Sequence, residues 1–265
     1  MNDVDEPLEA AHTALEVGQP EEALICVQAL PADDPERRLV ECLAHLDLGR
    51  PADARTAFED AALLLDADDP WRLWAEGELL LAEWSVTAAR TVFETLATLE
   101  RNLAVLDRLA LCADLEGDHL AADELLAEAA RLDPEGCPLP TRLSADEFQA
   151  VVQEATGELP PAYRAQLRRA RVITEPMPFA ELVLPEDPGA TPPDLLGLFV
   201  GPTIHDLAED ASATLPPTVY LFQRNLERRA RDREELRGEI HVTLFHELGH
   251  LLGLDEEEVD ALGLG

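Results

Sequence analysis

With 265 residues, a 46% hydrophobic share, three Trp and seven Phe, the chain has material for two modest cores. Its formal charge is −35 and every basic residue is Arg, so the net field repels a phosphate backbone and the expectation is that nucleic acid is not a partner. No apolar run approaches the roughly 20 residues that cross a bilayer, and Met1-Asn2-Asp3-Val4-Asp5-Glu6 is acidic where a secretion signal is basic, which predicts a cytoplasmic protein without membrane association.

From Leu8 to about Pro134 the sequence is rich in Ala, Leu and Glu and is broken by short polar or Gly/Pro punctuation, the pattern of successive helices. It repeats. Gly18, Gly49 and Gly117 each stand five residues before an alanine (Ala23, Ala54, Ala122), and Trp84 stands likewise before Ala89. Those alanines are 31, 35 and 33 residues apart, and each opens an A-x-x-x-apolar pair with Val27, Phe58, Phe93 or Leu126. Pro35, Pro70 and Pro134 read as the ends of three units. The pattern resembles the tetratricopeptide repeat, a helix-turn-helix of about 34 residues whose second helix carries A-x-x-x-F. The resemblance implies four stacked hairpins with a concave surface for a partner segment or another subunit. The plainer alternative is a helical domain that buttresses its neighbour. Cys26, Cys42, Cys112 and Cys137 form no C-x-x-C pair, and the first three fall at helical apolar positions, as reduced core thiols do.

The Pro/Gly break Pro134–Thr141 divides the chain into an expected helical domain, residues 1–140, and a second domain, residues 141–265. Ser144 and Glu147 form a capping box ahead of Phe148, Val151, Val152 and Ala155 at helical spacing. A short helix over Ala162–Arg169 follows, then a strand Arg171–Glu175, a Pro-rich loop over 176–193, and strands Leu195–Val200 and Thr218–Phe222. His205 lies with Asp206, Glu209 and Asp210 in an acidic loop read as solvated surface. Arg224, Arg228, Arg229, Arg231, Arg233 and Arg237 form the densest basic stretch. Its last members, interleaved with Asp232, Glu234 and Glu235, read as an exposed helix face with i,i+4 ion pairs.

Near the end stands His246-Glu247-Leu248-Gly249-His250-Leu251-Leu252-Gly253-Leu254-Asp255-Glu256. Residues four apart on a helix are separated by ~6 Å along the axis and ~40° around it, so His246 and His250 can address one ion. Glu247 beside that face can take a proton from water without ligating the metal, the division of labour in H-E-x-x-H sites. Ile240, Val242, Leu244, Phe245, Leu248, Leu251 and Leu252 make the helix apolar on most sides, and Gly253 suits a left-handed C-cap that turns the chain back. Asp255 or Glu256 then completes a three-ligand set. His12, His45, His119 and His241 read as structural.

The second domain resembles the small bacterial zincin-like metallopeptidases. The likeness rests on Glu147-Phe148, Leu159-Pro160, Leu196-Gly197-Leu198-Phe199-Val200-Gly201, Leu215-Pro216, Leu221-Phe222 and Arg231-Asp232-Arg233-Glu234-Glu235-Leu236, as well as the motif itself. The family pattern H-E-x-x-H-x-x-G-x-x-D puts the third ligand at Glu256, one residue past Asp255 and Glu in place of Asp. Met1 and Met177 both precede the motif, so the Met-turn of the larger metzincins is absent. The resemblance implies a compact α+β fold in which strand Thr218–Phe222 lies along an extended peptide substrate.

The expected fold is therefore multidomain: all-α helical-hairpin, tetratricopeptide-like repeats, then a small α+β zincin-like domain. The expected activity is Zn2+-dependent peptide hydrolysis, with His246, His250 and Glu256 on the metal and Glu247 as general base. The repeats would engage the peptide or protein substrate, or a protein partner. The alternative is a non-catalytic interaction protein whose zinc site is structural or vestigial.

Overall fold

A computed structural model of the chain describes residues 5–183, 191–204, 206, 216–255 and 258–259. The described parts of Met1–Asp133 and Phe179–Pro193 form one compact unit, and those of Pro134–Pro178 and Asp194–Gly265 form a second.

The first unit is built from helical hairpins: α1 (Asp5–Glu16) with α2 (Pro20–Val27), α3 (Pro35–Asp47) with α4 (Pro51–Ala62), α5 (Pro70–Ala82) with α6 (Val86–Leu99), and α7 (Leu103–Leu115) with α8 (His119–Leu132). Pro35 and Pro70 open helices instead of closing units, because the first helical position needs no N–H donor and favours the fixed φ of proline. Asp34 and Asp69 cap the same two helices, each accepting backbone N–H groups on its side chain.

The turn inside each hairpin is left-handed at the position picked out by the repeat, with φ +69° at Gly18, +63° at Gly49, +56° at Trp84 and +81° at Gly117. Each turn closes the same way. The N–H groups of Gln19, Arg50, Ser85 and Asp118 donate to carbonyls five residues back at 2.8 Å, the Schellman arrangement. Trp84 is the non-glycine residue at positive φ among those described, a conformation costing roughly 1–2 kcal/mol. Its indole Nε1 donates to Thr191 O at 3.2 Å.

Ala23, Ala54, Ala89 and Ala122 are each 0% exposed, and their small side chains let paired helices approach. Gly77 of α5 goes further. A Cβ placed there would lie 2.4 Å from Cζ of Phe93, which is fully buried on α6. Burial pushes the thiols of Cys42 and Cys112 up to about 12, so both stay protonated and inert at neutral pH.

In the second unit, α9 (Ala145–Glu158) starts at the expected capping box: Glu147 N donates to Ser144 Oγ and Ser144 N to Glu147 Oε2. Helix α10 (Pro161–Leu167) leads to β1 (Arg171–Glu175), and the single turn α11 (Ala180–Val183) falls in the stretch grouped with the first unit. Strands β2 (Gly197–Val200) and β3 (Thr218–Phe222) follow, then α12 (Gln223–Arg229) and α13 (Arg233–Leu251). Strand β2 begins two residues later than the sequence suggests, and the carbonyl of Leu195 accepts from Asn225 Nδ2 at 2.9 Å.

The sheet order is β1-β3-β2, with β1 parallel and β2 antiparallel to β3. Strand β3 is thus central. Both its backbone edges are used, so the expectation that Thr218–Phe222 aligns an extended peptide is wrong; among the described residues the outer edges of the sheet belong to β1 and β2.

Leu236, Ile240, Leu244, Leu248 and Leu251 form one stripe of α13, buried with Phe148, Val151 and Val152 of α9 and with Val219 and Leu221 of β3. Arg233 and Arg237 pair not within α13 but across to Glu154 and Glu158 of α9, because four-residue steps on the two packed helices match. Glu227 is 1% exposed and is satisfied by Leu143 N, Gln223 Nε2 and Arg142 Nη1, which fastens the entry to α9 onto α12.

Replacing Gly77 by Ala is expected to destabilise the chain by about 1–3 kcal/mol, because the buried Phe93 ring must be displaced, which outweighs the helix-propensity gain of ~1 kcal/mol. Chemical denaturation of Gly77→Ala checks this. A midpoint at or above the parent's would show that the ring yields freely.

Candidate metal centre

Helix α13 is anchored at its start by Asp232, whose carboxylate accepts from Glu234 N and Glu235 N, and it ends at a Schellman turn like those of the four hairpins. Gly253 takes φ +87°, Gly253 N donates to His250 O at 2.9 Å, and Leu254 N to Gly249 O at 3.1 Å. The same turn carries the carbonyl of Leu254 back over the helix, where it accepts from His250 Nδ1 at 3.2 Å. A carbonyl only accepts, so Nδ1 carries a proton and is tied back to the turn, leaving Nε2 as the ring nitrogen turned away from it.

That Nε2 faces His246 Nε2 at 3.0 Å, with the two rings steeply inclined at 76°. Two imidazole nitrogens at ~2.05 Å from a tetrahedral zinc lie about 3.3 Å apart, so the pair fits a shared ion with a small adjustment. The backbone hydrogen bond from His250 Nδ1 is the outer support such ligands characteristically have.

Glu247 occupies the neighbouring face and is 6% exposed. It packs under the start of β2, where a Cβ on Gly197 would lie 3.0 Å from Glu247 Oε1 and 2.6 Å from Thr243 Cγ2. Gly197 therefore gives the carboxylate its room. Phe245 on the adjoining side touches Tyr163 at 4.5 Å between centroids and stacks on His241, which accounts for His241 as a packing residue.

Asp255 is engaged as a helix cap: its Oδ1 accepts from Glu258 N at 2.9 Å while its own N–H donates to Glu258 Oε2 at 3.1 Å. Val259, fully buried, returns onto Gly249, where a Cβ would meet Val259 Cγ2 at 2.6 Å. Glu256 and His205 lie outside the described residues. Among the described residues no group of three His, Cys, Asp or Glu that could hold a metal is assembled. His246 and His250 are the pair brought together. His12, His45 and His119 belong to the helical unit, and His119 Nδ1 sits 3.0 Å from Asp114 Oδ1.

The helix turn thus brings two imidazole nitrogens together with a buried carboxylate on the intervening residue. Residues 167–265 match the family described as Zincin-like metallopeptidase, so the C-terminal part of the chain carries a zincin-like domain. The match takes in the sheet and α13 and begins after α9. No curated protein matches the chain.

Sequence reasoning overlooked Gly197, Gly249 and Val259. A glycine inside the apolar run 195–200 is itself a sign of close approach, whereas the Gly249–Val259 contact has no local signal. Gly249→Ala is expected to push the returning turn away from the helix and to weaken zinc binding by about 10- to 100-fold with helical content retained. Zinc titration followed with a competing chelator measures this; parental affinity would detach the turn from the site.

Proposed function

We propose that residues 141–265 form a zinc-dependent peptidase domain in which His246, His250 and Glu256 hold the metal and Glu247 is the general base. Residues 1–140 form the helical domain that engages substrate or a protein partner. The observation that carries the reading is the 3.0 Å approach of His246 Nε2 and His250 Nε2, with His250 Nδ1 tied to Leu254 O and Glu247 buried between them in sequence.

Zinc supplies Lewis acidity to the scissile carbonyl and to water. Glu247 takes the proton from the attacking water and hands it to the departing amine. Its burial against Gly197 fixes the carboxylate beside β2. Among the described residues β2 pairs with β3 alone, so its other edge is the one to align a peptide backbone near Glu247. Glu256 is preferred to Asp255 because the Asp255 carboxylate already caps the turn that follows. The four left-handed turns with their buried alanines support a tetratricopeptide-like reading of the hairpins. Cys42 and Cys112, buried as protonated thiols, suit a reducing cytoplasm.

Two variants test the assignment. Glu247→Gln is expected to keep zinc and fold and to lose peptidase activity by at least 100-fold, roughly the contribution of a general base; activity like the parent's, read on a mixed peptide library, would refute the base. Glu256→Ala is expected to bind zinc at least about tenfold more weakly. Asp255→Ala is expected to cost about 1 kcal/mol of stability through loss of a cap, with a smaller effect on zinc. A zinc loss confined to Asp255→Ala would move the third ligand by one residue.

A further inference from the structure

Within the helical unit a groove of about 580 Å³ is lined by residues of α1, α3, α5 and α7 with the α6 end, and by none from α2, α4 or α8. Its floor is aromatic. Trp71 is 45% exposed and is stacked on one side by His12, centroids 4.6 Å apart and planes 25° from parallel. Burial lowers the His12 pKa, against the pull of Glu36 and Glu16, which favours a neutral ring that adds apolar face rather than charge.

The walls are acidic. Glu16, Asp47 and Glu100 are exposed carboxylates along the groove, and its single guanidinium, Arg108, has its Nε 2.7 Å from Glu78 Oε1. An exposed indole face in a groove that carboxylates also line attracts a delocalised cation twice, through the ring quadrupole and through charge. A carboxylate-bearing ligand meets repulsion from the same groups.

We propose that this groove is a docking site for an arginine-containing segment of another protein, seated with a guanidinium over Trp71 and its flanks between Glu16, Asp47 and Glu100. The proposal rests on the reading of the helical domain as a binding module and needs neither zinc nor Glu247.

The test uses the full chain in EDTA, so that no peptide is cleaved, and fluorescein-labelled Arg–Leu and Glu–Leu repeat peptides read by anisotropy. The Arg–Leu peptide is expected to bind, at least about tenfold more weakly to Trp71→Ala and to Glu16→Gln/Glu100→Gln, and with parental affinity to Glu21→Gln/Glu22→Gln. That last pair removes equal charge from exposed positions on α2 outside the groove. The Gln pair keeps the test decisive if Trp71→Ala melts early. An equal loss in the α2 pair reduces the binding to the net charge of the chain and overturns the proposal. Binding of the Glu–Leu peptide instead keeps the module and overturns its cationic ligand, and binding of neither overturns both, with zinc titration of the motif unaffected.

Discussion

The hydrogen bond from His250 Nδ1 to the carbonyl of Leu254 ties the end of the long helix to the chemistry of the site. It exists because Gly253 can take a left-handed conformation that a side chain would strain, reversing the chain three residues after the histidine. One turn thus performs two tasks that could have been separate, satisfying the last carbonyls of α13 and fixing the ring orientation of His250. The buried Val259 is seated on Gly249, so the returning chain can lie this close to the helix only because Gly249 lacks a Cβ.

The surrounding fold presents this turn through one helix with two buried faces. The leucine stripe of α13 enters the core, and the Thr243–Glu247 face meets β2 at a glycine. A carboxylate that is 6% exposed is costly to bury unless it is compensated, and this one is packed beside the first residue of β2, where only a glycine leaves it room.

Much of this was legible because it is local. The Ser144–Glu147 capping box, the limits of β1 and β3, the four turn positions and the Gly253 cap each depend on residues a few places apart, and each is found where the sequence puts it. What escaped depends on distant residues. Strand order is not written in any one strand, so β3 was expected at an edge and sits at the centre. Arg233 and Arg237 have plausible partners on their own helix, yet pair with Glu154 and Glu158 across a contact that periodicity does not encode. His12 and Trp71 are far apart in sequence, and only the stacking of hairpins brings their rings together.

Trp84 has a consequence for the order in which the chain acquires structure. Three of the four hairpin turns use glycine and can close as soon as their own helices exist, whereas the third holds a tryptophan in a strained backbone whose indole bonds a carbonyl 107 residues later. A chain emerging from its amino end can complete the first, second and fourth hairpins from local sequence alone, but Thr191 must arrive before the third gains that bond. The third hairpin turn is thereby completed by a segment encoded between two strands of the C-terminal part, so its last bond is long-range in sequence while those of the other three turns are local.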